Sequence, residues 1–268
     1  MTPLRLYLHL LLIAAFMPLL TACGMFGHES VAVENVADSA SYAEAGKPAV
    51  SAMLDVDYPT GGDPLMVRGV KQWMGALLGL TDTTAMAGAE QFATAFFTQN
   101  EPGKEMLKNH PAGYRYHLTV RKTDETAAYV TFVVTTEATD GPTVTSTCTG
   151  ATFLKPTAKV FGYEMFVEDK PRSIAVMVAD GLRKTLGAED LEDLKRLVAP
   201  GKISSSDYGV NALPQAAPWI EDGEVVFQYA QGELRDGSFG PTQARVPLSK
   251  AEKFFSATFR RALEEAAK

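Results

Sequence analysis

The stretch Trp219–Tyr229 has the sequence WIEDGEVVFQY and decides how the end of the chain folds. Within it, Val225, Phe227 and Tyr229 alternate with Val226 and Gln228, and this period of two predicts a strand that packs mainly on one face. A loop rich in glycine follows over 232–241, and Ala244–Leu248 then predicts a second strand. Pro247 cannot donate to a ladder, so we expect that strand to lie at an edge or to end there.

A single C-terminal helix is predicted from Ser249 to Lys268. Ser249 and Glu252 have the spacing of a capping box, in which two side chains satisfy free backbone N–H groups at a helix start. Apolar residues then recur at helical spacing. They are Phe254, Phe255, Phe259, Ala262 and Leu263.

N-terminal to this strand-loop-strand-helix segment, the predicted strands and the predicted helices form separate groups along the chain. Ala52–Pro59 alternates like a strand, and Asp63 followed by Pro64 is typical of a helix start. Consecutive strands, which are typical of an antiparallel meander, are then predicted over 114–122, 127–136 and 143–153. We therefore predict an α+β fold, an antiparallel sheet with helices packed mainly on one face. Its N-terminal α/β half covers 51–145, and its C-terminal α/β half covers 146–268 and ends strand-loop-strand-helix.

The first 22 residues have the pattern of a lipoprotein signal peptide. Arg5 supplies the positive start, and Leu6–Leu20 is an apolar run too short for an ordinary membrane-spanning helix. The run ends in LTAC, which resembles the lipobox of bacterial lipoproteins and implies that Cys23 carries acyl chains such as palmitate. Residues 23–50 are rich in Ala, Gly, Ser and Glu, so we expect a flexible tether.

This N-terminal pattern predicts a lipid-anchored protein of the cell envelope. Gly24 follows Cys23, and it is not the aspartate associated with retention at an inner membrane. We therefore expect an outer membrane and the periplasm, although a Gram-positive host also fits. The net charge of −7 over 268 residues argues against a nucleic-acid partner, because such proteins usually carry a concentrated basic patch.

Several short motifs resemble a bacterial envelope family. Asp57–Pro59 lies in the first strand, Glu224–Tyr229 is followed by Gly240-Pro241, and Arg245–Leu248 closes the pattern. These motifs are similar to those of the paired domains of unknown function in the extracellular part of the sigma-V anti-sigma factor and beside a peptidoglycan deacetylase module. A histidine-containing central motif of that family has only Cys148–Thr152 as its nearest match. The resemblance implies an envelope setting and a lysozyme-like or wall-associated ligand.

The supply of catalytic and metal-binding residues is small. Cys148 has no partner for an intramolecular disulfide if Cys23 is acylated, and His110 and His117 are the histidines of the predicted fold. We predict no metal, no cofactor and no catalytic residue. Asp55 and Asp57 share one face of the first strand, where they could form an acid/base pair, bind a cation or lie on a solvated face; we favour the last.

Our leading hypothesis is a non-catalytic binding module for a protein or a cell-wall ligand. Its candidate contact residues are Tyr208 and Trp219, in and beside the long loop 201–218, and Phe239 in the glycine-rich loop. Aromatic residues in loops are common anchors of binding surfaces, although each could equally be a core residue. The alternatives are a cell-wall hydrolase that uses carboxylate chemistry and a structural lipoprotein that assembles with other envelope proteins.

Overall fold

The computed structural model describes residues 29–80, 87–155 and 157–266. The strands of this part of the chain are β1 (Ala32–Tyr42), β2 (Val50–Gly61), β3 (Tyr114–Glu125), β4 (Tyr129–Asp140), β5 (Thr143–Leu154), β6 (Lys159–Val160), β7 (Trp219–Glu221), β8 (Glu224–Tyr229) and β9 (Thr242–Pro247). Its helices are α1 (Pro64–Leu77), α2 (Ala89–Gln99), α3 (Lys104–Asn109), α4 (Pro171–Thr185), α5 (Leu191–Leu197), α6 (Leu248–Ala251) and α7 (Ala257–Ala266). Within these ranges, every helix is too short or too polar to cross a bilayer.

The strands form two sheets, and the predicted α+β class is confirmed. A six-stranded sheet has the order β1-β2-β3-β4-β5-β6, and a three-stranded sheet has the order β7-β8-β9. The six-stranded sheet is mostly antiparallel, but β2 and β3 pair in parallel from Val50 opposite Tyr114 to Val56 opposite Val120. This parallel pair follows from the chain path, because α1, α2 and α3 lie between the two strands and allow a crossover.

Strand β1 shows that residues 32–42 of the predicted flexible tether over 23–50 are part of the fold. Residues 32–42 pair antiparallel with β2 along their whole length, with Val36 opposite Val56 and Tyr42 opposite Val50. Val31, just before the strand, is fully buried. The sequence hides this strand because its alanines and serines give no hydrophobic alternation, whereas the backbone ladder forms without it. The signal peptide and Cys23 lie outside the described residues.

The described residues divide into two compact units. The first unit comprises 31–121 and 135–145, and the second unit comprises 29–30, 122–134 and 146–266. The predicted division at 145 is therefore one of several points at which the chain passes between units. Residues 122–134, which the sequence analysis assigned to the N-terminal half, belong to the second unit because β3 and β4 each contribute to both.

In the first unit, α1 and α2 cover the apolar face of β2. Asp63 caps α1 as predicted, and its carboxylate accepts hydrogen bonds from the backbone N–H groups of Leu65 and Met66. The ring of Tyr58 on β2 lies 6.0 Å from that of Phe92 on α2. The buried residues of this core include Ala52, Leu54, Val56, Tyr58, Met66, Val70, Met74, Phe92, Phe96, Leu118 and Val120.

In the second unit, α4 packs against β9 at a very short distance. A Cβ atom at Gly181 would lie 3.0 Å from the carbonyl oxygen of Arg245, so only glycine fits that approach without a shift of helix or strand. Aromatic rings fill the adjoining core, where Phe161 contacts Phe255 and Phe259 at centroid distances of 5.7 and 5.2 Å. These contacts bury the face of β8 that carries Val225, Phe227 and Tyr229. Val226 and Gln228 on the other face are buried too, which corrects the prediction of a strand packed mainly on one face.

The C-terminal segment corrects the prediction of one continuous helix. The short helix α6 passes into a 3-10 turn at Glu252–Phe254, and Phe255 is extended, with φ −75° and ψ 145°. Phe255 is fully buried and forms an isolated bridge with Phe166. Its ring burial therefore outweighs the local helical pattern, and a new helix, α7, begins after Ser256.

Candidate functional site

An open pocket lies in the second unit between the end of α5 and the glycine-rich loop. Its volume is about 530 Å³. We call it the Phe239 pocket, and it is lined by Arg196, Leu197, Val198, Ala199, Pro200, Gly232, Arg235, Asp236, Gly237 and Phe239. The pocket is a shallow surface depression that is open to solvent rather than enclosed.

Helix α5 positions one wall of the pocket. Asp190 caps the helix by accepting a hydrogen bond from the backbone N–H of Asp193 at 2.8 Å. After the helix, the N–H of Ala199 donates to the carbonyl oxygen of Leu234 at 2.9 Å. Leu234 is buried, so this bond ties the helix exit to a fixed point of the glycine-rich loop.

The glycine-rich loop holds Phe239 at the surface in a short 3-10 turn. Asp236 caps the turn, with its carboxylate accepting from the N–H of Ser238 at 2.9 Å. The side chain of Gln231 links the turn to strand β5. Its Nε2 donates to the carbonyl oxygen of Gly237 at 2.6 Å, and its Oε1 accepts from the N–H of Ser146 at 2.8 Å. The ring of Phe239 remains 61% exposed on this fixed turn.

Two arginines give the pocket wall a positive charge. The Cζ atom of Arg235 lies 4.0 Å from the ring centroid of Phe239, a cation–π contact. Within the described part of the chain, Nε of Arg235 is buried and has no hydrogen-bond partner. Arg196 forms an i,i+3 pair with Asp193 at 3.5 Å, and its side chain is 74% exposed, so that pair screens its charge only weakly.

Tyr208 lies beside the same helix but is not among the residues that line the pocket. Its ring is under Nζ of Lys195, at 4.8 Å from the centroid, and it is 39% exposed. Its backbone φ of 59° is unusual for a non-glycine residue. Arg172 pairs with the neighbouring Asp207 and also donates to the carbonyl oxygen of Val210 at 3.2 Å, which holds this turn in place.

Trp219 is a core residue, and its assignment as a contact residue is wrong. The side chain is fully buried, and its strand β7 pairs with β8, where Trp219 lies opposite Val226. The indole packs directly on Gly150, because a Cβ atom there would lie 2.3 Å from the ring. A ligand at the surface cannot reach a ring enclosed in this way, so we remove Trp219 from the candidate site.

The carboxylates on β2 are held by neighbouring side chains. Arg121 pairs with Asp55 and lies 3.7 Å from Asp57, and Nδ2 of Asn35 donates to both carboxylates at 3.1 Å. The bond from Arg121 holds the pKa of Asp55 below its usual range. These contacts favour a structural role over the acid/base or cation alternatives.

The other candidate chemical groups are dispersed. Burial raises the pKa of the Cys148 thiol to about 11, with the Glu221 carboxylate adding to the effect, and its recorded contact is with Nε2 of Gln243 at 3.8 Å. His110 pairs with Asp140 at 2.9 Å in the first unit. Over residues 29–80, 87–155 and 157–266, no three ligand-type side chains are close enough together to hold a metal ion.

Sequence reasoning identified Phe239 but missed the arginines beside it. Arg196 and Arg235 are 39 positions apart, and single basic residues in loops carry no pattern. The one signal in the sequence is the pair Lys195 and Arg196 in the last turn of α5, where basic residues interact favourably with the negative end of the helix dipole. This pattern is typical of a helix end and does not predict a pocket.

Two solved structures share this architecture. The chain is similar to a member of the DUF3298 family from Bacteroides fragilis NCTC 9343, with a TM-score of 0.66 and 12% identity over 87% of this chain and 96% of that one. It is also similar to a DUF3298 family protein from Pseudomonas aeruginosa PAO1, with a TM-score of 0.58 and 12% identity over 86% and 96% of the two chains. At this identity the likeness shows a shared fold alone. No family model matches the sequence, and no curated protein matches it.

Proposed function

We propose that this protein is a lipid-anchored envelope protein whose folded part is a non-catalytic binding module for a protein or a cell-wall ligand. The lipobox ending at Cys23 supports the anchor, and an outer-membrane position facing the periplasm fits Gly24 at the next position. Two acyl chains hold a protein to a membrane far better than one, so such an anchor is stable.

The observation that carries the binding role is the exposed ring of Phe239 on a rigid turn. A 61% exposed phenylalanine is unfavourable in water, yet Asp236 and Gln231 hold its turn at the surface beside an open pocket. Aromatic side chains that are fixed and exposed in this way are typical anchors of binding surfaces. Tyr208, which Lys195 supports nearby, is a second candidate contact residue.

A lysozyme-like protein is the first ligand to test. The resemblance to the paired domains of the sigma-V anti-sigma factor and of a peptidoglycan deacetylase supplies this ligand by analogy. The net charge of −7 also favours encounter with a cationic protein of this kind. A wall-derived glycan or peptide is the other ligand that the envelope setting suggests.

The test is a calorimetric titration of the full-length protein, in non-ionic detergent, with lysozyme and separately with a soluble digest of cell wall. We expect a saturable isotherm for at least one ligand that survives a doubling of salt. Phe239→Ala should lower that affinity about tenfold, because an interface anchor contributes roughly 1–2 kcal/mol. Leu65→Ala is the matched control, since Leu65 is 49% exposed and lies in the first unit. Flat traces for both ligands would refute the proposal.

A further inference from the structure

We propose that the Phe239 pocket binds an acidic peptide in which a carboxylate lies next to an aromatic or aliphatic side chain. This inference rests on the proposed binding function and names the chemistry of its ligand. It follows from the charge of the pocket wall, from the apolar surface beside that charge and from the openness of the site.

The positive charge of the pocket wall favours an anionic ligand. Arg196 and Arg235 contribute two guanidinium groups against one carboxylate in the lining, that of Asp236, which accepts a hydrogen bond from the N–H of Ser238, so the wall keeps a net positive charge. Among the described residues Arg235 pairs with no carboxylate, and its guanidinium group lies on the ring of Phe239. A guanidinium group binds a carboxylate through two parallel hydrogen bonds, so it is well suited to such a ligand.

The apolar surface of the pocket favours a ligand with an aromatic or aliphatic side chain next to its anionic group. Phe239 and Leu197 are 61% and 36% exposed and lie in the same lining as the arginines. A bare phosphate or a lone carboxylate would make no apolar contact with Phe239 or Leu197. A peptide supplies both a carboxylate and an apolar side chain, and these adjacent side chains are only a few ångströms apart. An open pocket can bind the two side chains without enclosing the whole peptide.

The acidic surface of the whole chain does not conflict with an anionic ligand at this point. Net charge governs the diffusional encounter of two proteins, whereas local contacts govern which segment is bound. A cationic partner attracted by the net charge of −7 can therefore present an acidic segment to the two arginines.

The experiment uses three blocked tetrapeptides, Ala-Glu-Phe-Ala and its counterparts with glutamine or lysine in place of the glutamate. Binding to the full-length protein in non-ionic detergent is followed by fluorescence anisotropy of a labelled peptide. We expect the glutamate peptide to bind about tenfold more tightly than the glutamine peptide, and the lysine peptide to bind most weakly. Doubling the salt should reduce this preference, because the arginines are at the surface.

Substitutions then assign the preference to the pocket. Arg235→Gln should abolish most of the preference for glutamate over glutamine, and Arg196→Gln, at an exposed position that folding tolerates, should reduce it. Phe239→Ala should weaken both the glutamate and the glutamine peptide, because it removes the exposed ring that their phenylalanine contacts. Arg260→Gln is the matched control, because Arg260 is an exposed arginine on α7 that does not line the pocket.

Equal affinity for the glutamate and glutamine peptides would overturn the inference, as would a preference that persists in the double variant Arg196→Gln, Arg235→Gln. Absence of binding by every peptide at millimolar concentration would also overturn it. If lysozyme or wall digest still binds in that case, the proposed binding function stands without this ligand. If neither binds, both proposals fail together.

Discussion

Trp219 and Phe239 differ in a property that a sequence does not contain, the fraction of each side chain that reaches solvent. Both are aromatic residues beside glycine-containing turns, yet the first is fully buried and the second is 61% exposed. The difference is set by residues far away in the chain, since Gly150 on β5 provides the space that Trp219 fills. Sequence analysis could therefore propose both residues but could not separate them.

Gly150→Ala should destabilise the protein by about 1–3 kcal/mol, because its methyl group would overlap the indole of Trp219 and force the core to shift. Urea unfolding measures the loss. Gly237→Ala is the matched control, since a methyl group there meets only Cγ of Gln231 at 4.0 Å. If both substitutions had the same small effect, the packing of Trp219 on Gly150 would be wrong.

Cys148 should react slowly with iodoacetamide in the folded protein. Its pKa of about 11 leaves little thiolate near neutral pH, so its rate should still rise about tenfold per pH unit between pH 8 and 10. The control is Thr145→Cys in a Cys148→Ser background, because Thr145 is exposed on the same strand. The control rate should level off near pH 9, as for an ordinary thiol. A plateau at that pH for Cys148 itself would contradict this environment.

At the scale of the elements, strong local patterns gave correct predictions. The capped start of α1 and the strand β8 both appear as expected, but β8 is buried on both faces, because elements distant in the sequence cover the face of Val226 and Gln228 as well. The C-terminal helix was mispredicted because burial of Phe255 is a tertiary effect. A helical pattern of apolar residues cannot reveal that one of its members faces a different part of the core.

Ser256→Ala should lower the free energy of unfolding by about 0.5–2 kcal/mol. Ser256 Oγ accepts a hydrogen bond from the N–H of Phe259 at 3.2 Å and so caps α7. Ser249→Ala, at the position where the capping box was predicted, should have little effect because no side chain caps α6. Thermal and urea unfolding of both variants check this. A larger loss for Ser249→Ala would restore the continuous helix.

Strand β1 should be protected from hydrogen exchange. Its pairing with β2 runs from Val33 to Tyr42, so peptides covering 33–41 should exchange more slowly than an unfolded chain of the same sequence. Mass spectrometry of deuterated full-length protein measures this, and an acid-denatured sample gives the unfolded reference. Exchange at the unfolded rate throughout 33–41 would support the tether that the composition predicted.

At the scale of the whole molecule, the fold is shared more widely than its sequence. The two DUF3298 proteins match this chain over most of its length at 12% identity, so few individual residues are needed to specify the architecture. The pocket arginines could not be predicted, since they come together only when α5 and the glycine-rich loop are both in place. Binding chemistry therefore has to be argued from the site and not from the fold.

The proposed lipid anchor makes a prediction about the whole chain. Metabolic labelling with an alkyne fatty acid should mark the protein, and the membrane fraction should contain it. Cys23→Ser should abolish both the label and the membrane association, whereas Cys148→Ser should change neither. Labelling that survives Cys23→Ser would contradict the anchor at this residue.

Photocrosslinking in living cells tests whether the face around Phe239 contacts the proposed ligand. A p-benzoylphenylalanine residue is placed at position 239 or at position 65, which is also exposed, in cells that export the protein. We expect a defined adduct at position 239 that is absent at position 65 and that excess lysozyme or wall digest displaces. Identical adduct patterns at the two positions, or an adduct at 239 that neither competitor displaces, would contradict it.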